Sequence, residues 1–260
     1  MYFWPPLALI IGLTVVLMFA SGCSPQHSSR ARPPSFDKTQ TVQNTRLEEM
    51  REKNFSTLRT EMVIKGMSMD NPMLIRAFKS EMQLELWVKS SYTNEYLLFR
   101  TYNICKKSGI LGPKLKEGDK QTPEGFYNVT PHRLNPNSQY FLSFNIGFPN
   151  EYDRAHGRTG SHLMIHGECV SEGCLAMTND YIGEIYLIVE SNFKYGHQSI
   201  PIHIYPFRMT DTNMLMRNTS RWYPFWTELK TAHDYFERNK IPADVSVKEK
   251  HYVINEREYF

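Results

Sequence analysis

The segment 161-SHLMIHGECVSEGCLAMTND-180 concentrates the side chains of this sequence that are best suited to chemistry. His166 and Cys174 stand eight positions apart, with Gly167 directly after the histidine and Gly173 directly before the cysteine. A cysteine becomes a nucleophile when a histidine within hydrogen-bonding distance takes its proton. Glycine before the cysteine allows a tight turn, and the amide N–H groups of Gly173 and Cys174 are then placed to form an oxyanion hole. The spacing is therefore compatible with acyl transfer through a thiol.

Three other interpretations of the same segment stay open on spacing alone. His162, His166, Cys169 and Cys174 form the pattern H-x3-H-x2-C-x4-C, which supplies four possible zinc ligands. A disulfide between Cys169 and Cys174 would make the segment a structural clasp. In the third interpretation the histidines are hydrogen-bonded sheet residues and Cys174 is a small buried apolar side chain. A Cys105–Cys169 pair is a separate possibility, and it is compatible with catalysis at Cys174.

The overall composition is that of a folded globular protein. The chain has 260 residues, of which 41% are hydrophobic and 22% are charged. The net charge of +3 is weak for this length, and the basic residues are scattered along the chain. A nucleic-acid-binding surface is therefore not expected.

The N-terminus predicts export. The run 7-LALIIGLTVVLMFASG-22 is uncharged and ends in small residues directly before Cys23, which resembles a bacterial lipoprotein signal with a lipidated cysteine. It departs from that signal because residues 1–6 carry no Lys or Arg, so a retained membrane anchor is the alternative. Ser24 resembles the residue that directs lipoproteins to the outer membrane. We expect a periplasmic protein held at that membrane through its lipid.

The number of cysteines fits one disulfide and one reactive thiol. Once Cys23 is lipidated, three cysteines remain: Cys105, Cys169 and Cys174. In an oxidising compartment an odd thiol is either spare or reactive.

The pattern of apolar residues predicts a mainly β, α+β fold with a few helices. Strands are predicted in 73–89 (a hairpin), 95–105, 126–130, 140–146, 161–166, 200–207 and 245–254, and helices in 45–65, 179–193, 211–218 and 222–240. Asn179 is predicted to cap the helix over 179–193. Four parts follow: a signal peptide (1–22), a lipidated tether and spacer helix (23–65), a catalytic domain (66–210) and a helical C-terminal extension packed on it (211–260).

The order of several motifs resembles the L,D-transpeptidase (YkuD-type) family. The elements H-G-x-C-x-S-x-G-C, from His166 to Cys174, are similar to the catalytic signature of that family. The run 118-GDKQTPEGFYNV-129 resembles a second family motif. With 146-IGFPNEYDRAHG-157 and 205-YPFRMTDTNM-214, the resemblance covers roughly residues 72–255 and is closest to the YafK-type branch. It implies a β-sandwich or β-barrel catalytic domain.

The resemblance implies a role for each residue of the signature. Cys174 corresponds to the nucleophile and His166 to the general base, while the Gly167 carbonyl orients the imidazole, and Ser171 and Gly173 shape the turn before the nucleophile. No metal or cofactor is implied. The substrates implied are peptidoglycan stem peptides, attacked at the L-centre of diaminopimelate, and a murein-bound lipoprotein.

The resemblance leaves the acceptor of the acyl group open. Water gives an amidase that releases a wall-bound lipoprotein or an L,D-carboxypeptidase, whereas an amine gives a transpeptidase. The sequence departs from the family pattern in the gap between base and nucleophile, which is shorter than usual. Before the glycine, Glu172 stands where most members carry His or Arg. After the cysteine, 175-LAM-177 lacks the Arg or Asn that is common there. These departures favour hydrolysis by an amidase. A non-catalytic wall-binding lipoprotein is the remaining alternative.

Overall fold

The computed structural model describes Met1 and residues 38–255. The predicted signal peptide, Cys23 and the first part of the tether lie outside these residues. Residues 38–255 belong to one compact unit. Within them, no helix combines the length and the apolar character that a membrane span requires.

The structure has mixed α+β architecture, which confirms the predicted fold class. Its helices are α1 (Lys38–Ile64), α2 (Glu151–Ala155), α3 (Asn179–Lys194), α4 (Asp211–Leu215) and α5 (Tyr223–Asn239). Its strands are β1 (Met73–Phe78), β2 (Gln83–Lys89), β3 (Tyr96–Asn103), β4 (Gly125–Val129), β5 (Leu134–Asn135), β6 (Ser143–Asn145), β7 (Met164–His166), β8 (Leu175–Ala176), β9 (Ile200–Tyr205), β10 (Asp244–Lys248) and β11 (His251–Asn255).

Two sheets and a separate hairpin contain these strands. The larger sheet has the order β3-β2-β1-β9-β4, the smaller has the order β5-β6-β7-β8, and β10 pairs with β11. The strands β1 and β2 form the predicted hairpin, and β9 returns parallel to β1. The C-terminal region therefore ends in a hairpin after its two helices.

The larger sheet separates two apolar cores because side chains alternate between its faces. Ile75 and Ala77 belong to the first core, while Phe78 belongs to the second. The first core also takes Met62 of α1 and Ile185 of α3, and it includes residues of the smaller sheet. The second core consists mainly of aromatic side chains from the larger sheet, α5 and the final hairpin.

The cap of α3 differs by one residue from the prediction. Thr178, not Asn179, is the N-cap, and its hydroxyl accepts a hydrogen bond from the N–H of Tyr181. Asn179 instead accepts from the N–H of Glu168 at 2.9 Å and donates to the Glu168 carboxylate. The amide of Asn179 is thus used to hold the loop after β7.

A buried ion pair joins the larger sheet to the long loop over 108–124. Lys79, directly after β1, and Glu124, directly before β4, have fully buried side chains whose Nζ and Oε1 atoms lie 2.9 Å apart. Lys79 Nζ also donates to the carbonyl oxygens of Gly112 and Thr122. Glu124 accepts from the N–H of Gly112 at 2.7 Å and from Nε1 of Trp226 in α5 at 2.8 Å. This pair therefore connects sheet, loop and helix at one point.

Removing one partner of this pair is expected to leave an uncompensated buried charge. Lys79→Met should lower the free energy of unfolding by about 3 kcal/mol, measured by urea denaturation. Lys120→Met is the matched control because the Lys120–Glu172 pair is exposed, with side chains 64% and 74% accessible, and should change stability by about 0.5 kcal/mol or less. Equal stability losses in the two variants would contradict a structural role for the buried pair.

Candidate active site

Two short parallel strands bring the predicted nucleophile and base together. Ile165 of β7 pairs with Leu175 of β8, and His166 pairs with Ala176. Cys174 directly precedes β8, so continuing this register places it opposite Met164. Met164 and His166 are two positions apart and face the same side of the strand, so the side chains of Cys174 and His166 also share one side of the sheet.

The connection between β7 and β8 is unusually short for parallel strands, which ordinarily need a crossover of a dozen or more residues. The chain makes the return in residues 167–174. Glu168 and Cys169 have φ angles of 69° and 48°, and Gly173 has a φ angle of 116°. Three residues in the left-handed region produce the reversal, and at Gly173 the angle favours glycine.

His166 is held in one tautomer by its neighbour. The imidazole is 2% exposed, and its Nδ1 lies 2.6 Å from the carbonyl oxygen of Gly167. Because a carbonyl can only accept, Nδ1 carries the proton and Nε2 is the basic nitrogen. The ring also lies against Tyr140, with 4.8 Å between ring centroids. Burial lowers the pKa of His166, and the hydrogen bond to Gly167 opposes that effect. The ring is therefore neutral and ready to accept a proton at neutral pH.

Cys174 is the free cysteine of the described residues, and its resting form is the protonated thiol. Its Sγ lies 3.7 Å from the carbonyl oxygen of His162, to which it donates, and accepts from the N–H of Met164 at 3.3 Å. Burial raises the pKa of Cys174, while the Met164 N–H and the charge of Lys114 act in the opposite direction. The arrangement suits a thiol that loses its proton during the reaction.

Hydroxyl groups hold the turn before the nucleophile. Ser171 Oγ donates to the carbonyl oxygen of Cys174 at 2.7 Å, and Thr122 Oγ1 donates to the same oxygen at 3.3 Å. The N–H of Gly173 donates to Ser108 Oγ at 2.5 Å. That N–H therefore already has a partner, and the oxyanion hole expected from the Gly173 and Cys174 amides stays a prediction.

Gly167 is required by close packing. A Cβ atom at Gly167 would lie 2.4 Å from Oδ1 of Asn179 and 3.0 Å from the carbonyl oxygen of Tyr140. Both neighbours are engaged, since Asn179 holds the N–H of Glu168 and the Tyr140 carbonyl accepts from the N–H of Gly167. A larger residue would displace the chain at the point where the carbonyl of residue 167 orients the imidazole.

A disulfide between Cys105 and Cys169 anchors the middle of the loop between base and nucleophile. It rules out the Cys169–Cys174 clasp, and it removes Cys169 as a thiolate ligand from the four-residue zinc pattern. No group of three or more His, Cys, Asp or Glu side chains suited to a metal ion occurs in the described part of the chain. His162 is exposed and contributes its backbone carbonyl to the site.

The supporting role of the loop over 108–124 was not predicted in detail. Ser108 and Thr122 both contact the nucleophile turn, and Gln121 holds the loop together by bonds to Ile110 and Gly112. The quoted motif 118-GDKQTPEGFYNV-129 contains Thr122, but nothing in its spacing identifies the contact with Cys174. These contacts join residues that lie more than 50 positions apart in the chain.

The chain is similar in sequence to known proteins. The YkuD family, described as the L,D-transpeptidase catalytic domain, matches residues 73–234. The putative L,D-transpeptidases YafK of Escherichia coli strain K12 and of Escherichia coli O157:H7 are each 49% identical to the chain over 187 residues. Those residues cover 72% of this chain and 75% of each relative.

Two solved structures show a more distant likeness. The helical cell shape determining protein Pgp2 of Campylobacter jejuni is 20% identical, with a TM-score of 0.44 over 64% of this chain and 60% of Pgp2. Bdellovibrio bacteriovorus Bd1075 is 18% identical, with a TM-score of 0.38 over 72% of this chain and 78% of Bd1075. The chain thus spans less than two thirds of the length of Pgp2.

The protonation state of the thiol makes a prediction about its reactivity. Because burial raises the pKa of Cys174, alkylation by iodoacetamide should reach half of its maximal rate above the usual thiol pKa of about 8.5. Lys114→Met should shift the midpoint further upward, whereas Lys120→Met is the control and should not. The rate at Cys174 is followed by peptide mass spectrometry. Rapid alkylation below pH 7 would show instead a resting thiolate paired with charged His166.

Proposed function

Because the chain belongs to the YkuD family of L,D-transpeptidase catalytic domains, we propose that it is a cysteine enzyme that cleaves peptidoglycan stem peptides. The reaction proposed is hydrolysis of the amide at the L-centre of diaminopimelate, which releases a murein-bound lipoprotein. The observation that carries the proposal is the arrangement of Cys174 and His166 on one side of β7 and β8, with Nδ1 of the imidazole bonded to the Gly167 carbonyl.

The proposed reaction begins with a neutral thiol and a neutral imidazole. Nε2 of His166 takes the proton of Cys174 as the sulfur attacks the carbonyl carbon of the substrate amide. The tetrahedral intermediate collapses with cleavage of the C–N bond, and the imidazolium gives its proton to the leaving amine. A thioester remains on Cys174. Water then attacks the thioester with His166 as base, which releases the carboxylic acid and regenerates the thiol.

The charge around the nucleophile supports water as the acceptor. Lys106 pairs through its backbone with Ala176, and Lys107 follows it. Neither ammonium group has a carboxylate partner within the described residues, whereas Lys114, whose charge acts on the thiol, is paired with Asp119. In the proposed reaction, the unpaired charges of Lys106 and Lys107 attract the carboxylates of a stem peptide and oppose the approach of an ammonium-bearing acceptor. Transfer to an amine and removal of a terminal D-Ala are the alternative outcomes of the same acyl-enzyme.

Muropeptide analysis tests the proposed reaction. Murein sacculi incubated with the enzyme should lose their lipoprotein remnants, and mass spectrometry should show the free diaminopimelate carboxyl group. Cys174→Ala should abolish this change, and His166→Asn should reduce its rate by about 100-fold or more. His132→Asn is the matched control, since His132 is exposed and lies outside the site. New 3-3 cross-links would identify a transpeptidase, trimmed tetrapeptides a carboxypeptidase, and unchanged murein would overturn the enzymatic proposal.

We also propose that Cys23 anchors the protein to the outer membrane on its periplasmic side. The lipoprotein-like run before Cys23 supports the proposal, and a disulfide is typical of an exported protein. Cys23→Ala should prevent labelling by a fatty-acid analogue, and it should leave the precursor uncleaved, as seen by its mass. If the wild-type protein keeps the mass of the uncleaved precursor and takes up no label, the result would favour the alternative, a retained membrane anchor.

A further inference from the structure

A cavity of about 610 Å³ lies on the face of the larger sheet that carries the second core. Its walls are β4, residues 201 and 203 of β9, the connection from β2 to β3, and the final hairpin of β10 and β11. Neither His166 nor Cys174 lines it, so it is separate from the candidate active site. Its volume is within the usual range of sites that bind small molecules or single units of a polymer, about 300–1,000 Å³.

His203 places a buried polar group in the wall of this cavity. The residue is 3% exposed, and its Nδ1 lies 3.2 Å from the hydroxyl oxygen of Tyr205. Nε2 has no hydrogen-bond partner within residues 38–255. This atom is not fully buried. The remaining edge of the imidazole is therefore accessible from the cavity. Burial and the charge of Arg76 lower the pKa of His203 to about 3, so the ring is neutral.

The other polar groups of the wall both donate and accept hydrogen bonds. Asn94 and Asn128 are exposed, and their side chains make no hydrogen bond in the described part of the chain. Ser199 and Ser246 add hydroxyl groups. The charged residues of the lining are Lys89, Glu151 and Asp244. The lining therefore carries both signs of charge, with one more acid than base.

An aromatic wall completes the cavity. Phe126 and Tyr252 meet edge to face, with 4.8 Å between ring centroids. Nδ2 of Asn150 locks them by donating to the Phe126 carbonyl at 2.8 Å and to the Tyr252 hydroxyl at 2.9 Å. A rigid apolar surface beside free amides and hydroxyls is suited to a ligand with one apolar face and several hydroxyl groups.

We propose that this cavity binds a sugar unit of the glycan strand, which rests on the proposed action of the protein on peptidoglycan. A sugar hydroxyl both donates and accepts, so it matches either tautomer of neutral His203 and the free amides of Asn94 and Asn128. An N-acetyl group would add a carbonyl acceptor and an N–H donor. An anionic ligand fits less well, because its charge would meet Glu151 and Asp244.

The position of the cavity fits a polymer that also reaches the nucleophile. Phe126 in the cavity wall lies four residues after Thr122, whose hydroxyl contacts the carbonyl of Cys174. Four residues of extended chain span at most about 14 Å. An extended peptide of three or four residues covers a similar distance, and because β4 is the edge strand of the larger sheet, the proposal has the polymer pass around that edge from the cavity to Cys174.

Direct binding tests the site without any reaction. The full chain is titrated by calorimetry with the tetramer of N-acetylglucosamine, a soluble glycan with no peptide. Asn128→Ala should weaken binding about fivefold through loss of one hydrogen bond. Ser246→Trp, which fills the cavity from an exposed position of β10, should abolish binding. Asn218→Ala and Lys248→Trp are the controls, since both residues are exposed and lie outside the cavity, and they should bind as the wild type does.

A comparison of substrates separates this inference from the proposed function. Ser246→Trp should cleave a soluble stem peptide at the rate of the wild type, but it should raise the KM for intact sacculi several-fold. No binding of the tetramer by the wild type at millimolar concentration, or equal binding by Ser246→Trp, would overturn the glycan site. If no substrate is cleaved by the wild type, the proposed function fails, while the titration still decides whether the cavity binds sugar.

Discussion

The buried ion pair of Lys79 and Glu124 is the interaction on which the candidate site depends most. Two charges removed from water are stabilised only if nearly all of their hydrogen-bonding groups are satisfied. Here Lys79 reaches two backbone carbonyls of the loop over 108–124, and Glu124 reaches one backbone N–H and the indole of Trp226. The pair therefore specifies the path of a loop that has few apolar side chains of its own. Thr122, which contacts the nucleophile turn, lies within that path.

The nucleophile turn is supported from both sides by segments distant in sequence. On one side are Ser108 and Thr122 of the long loop, and on the other is the disulfide that holds Cys169. Between them His166 and Cys174 need only the short parallel pairing of β7 and β8 to share one side of the sheet. These constraints add to the packing of Ile165 and Leu175, which are buried in the first core.

Local patterns predicted the elements of the fold well, because they depend on alternation and helical periodicity. The hairpin of β1 and β2, the helix α3 and the strand β9 follow from such patterns. The parallel pairing of β7 with β8 did not follow, since a return in eight residues depends on left-handed residues that include Glu168 and Cys169. Residues with side chains rarely adopt that conformation, so their identity gives no signal.

Similar limits apply to the candidate site. The motif suggested His166 and Cys174, and the structure places them on one side of the smaller sheet. The motif did not predict that the N–H of Gly173 donates to Ser108 Oγ, because the two residues are 65 positions apart. The cap of α3 was assigned one residue too late, since Thr178 and Asn179 are both good capping residues and only the contact with Glu168 distinguishes them.

The protonated, half-buried thiol of Cys174 has a consequence for the durability of the protein. In the presence of an oxidant a thiolate proceeds to sulfenic acid, and it can also exchange with a disulfide such as Cys105–Cys169. Both processes require the thiolate, and the raised pKa of Cys174 keeps that form scarce until a substrate carbonyl group is present for the sulfur to attack. The low population of thiolate thereby protects the resting sulfur against oxidation.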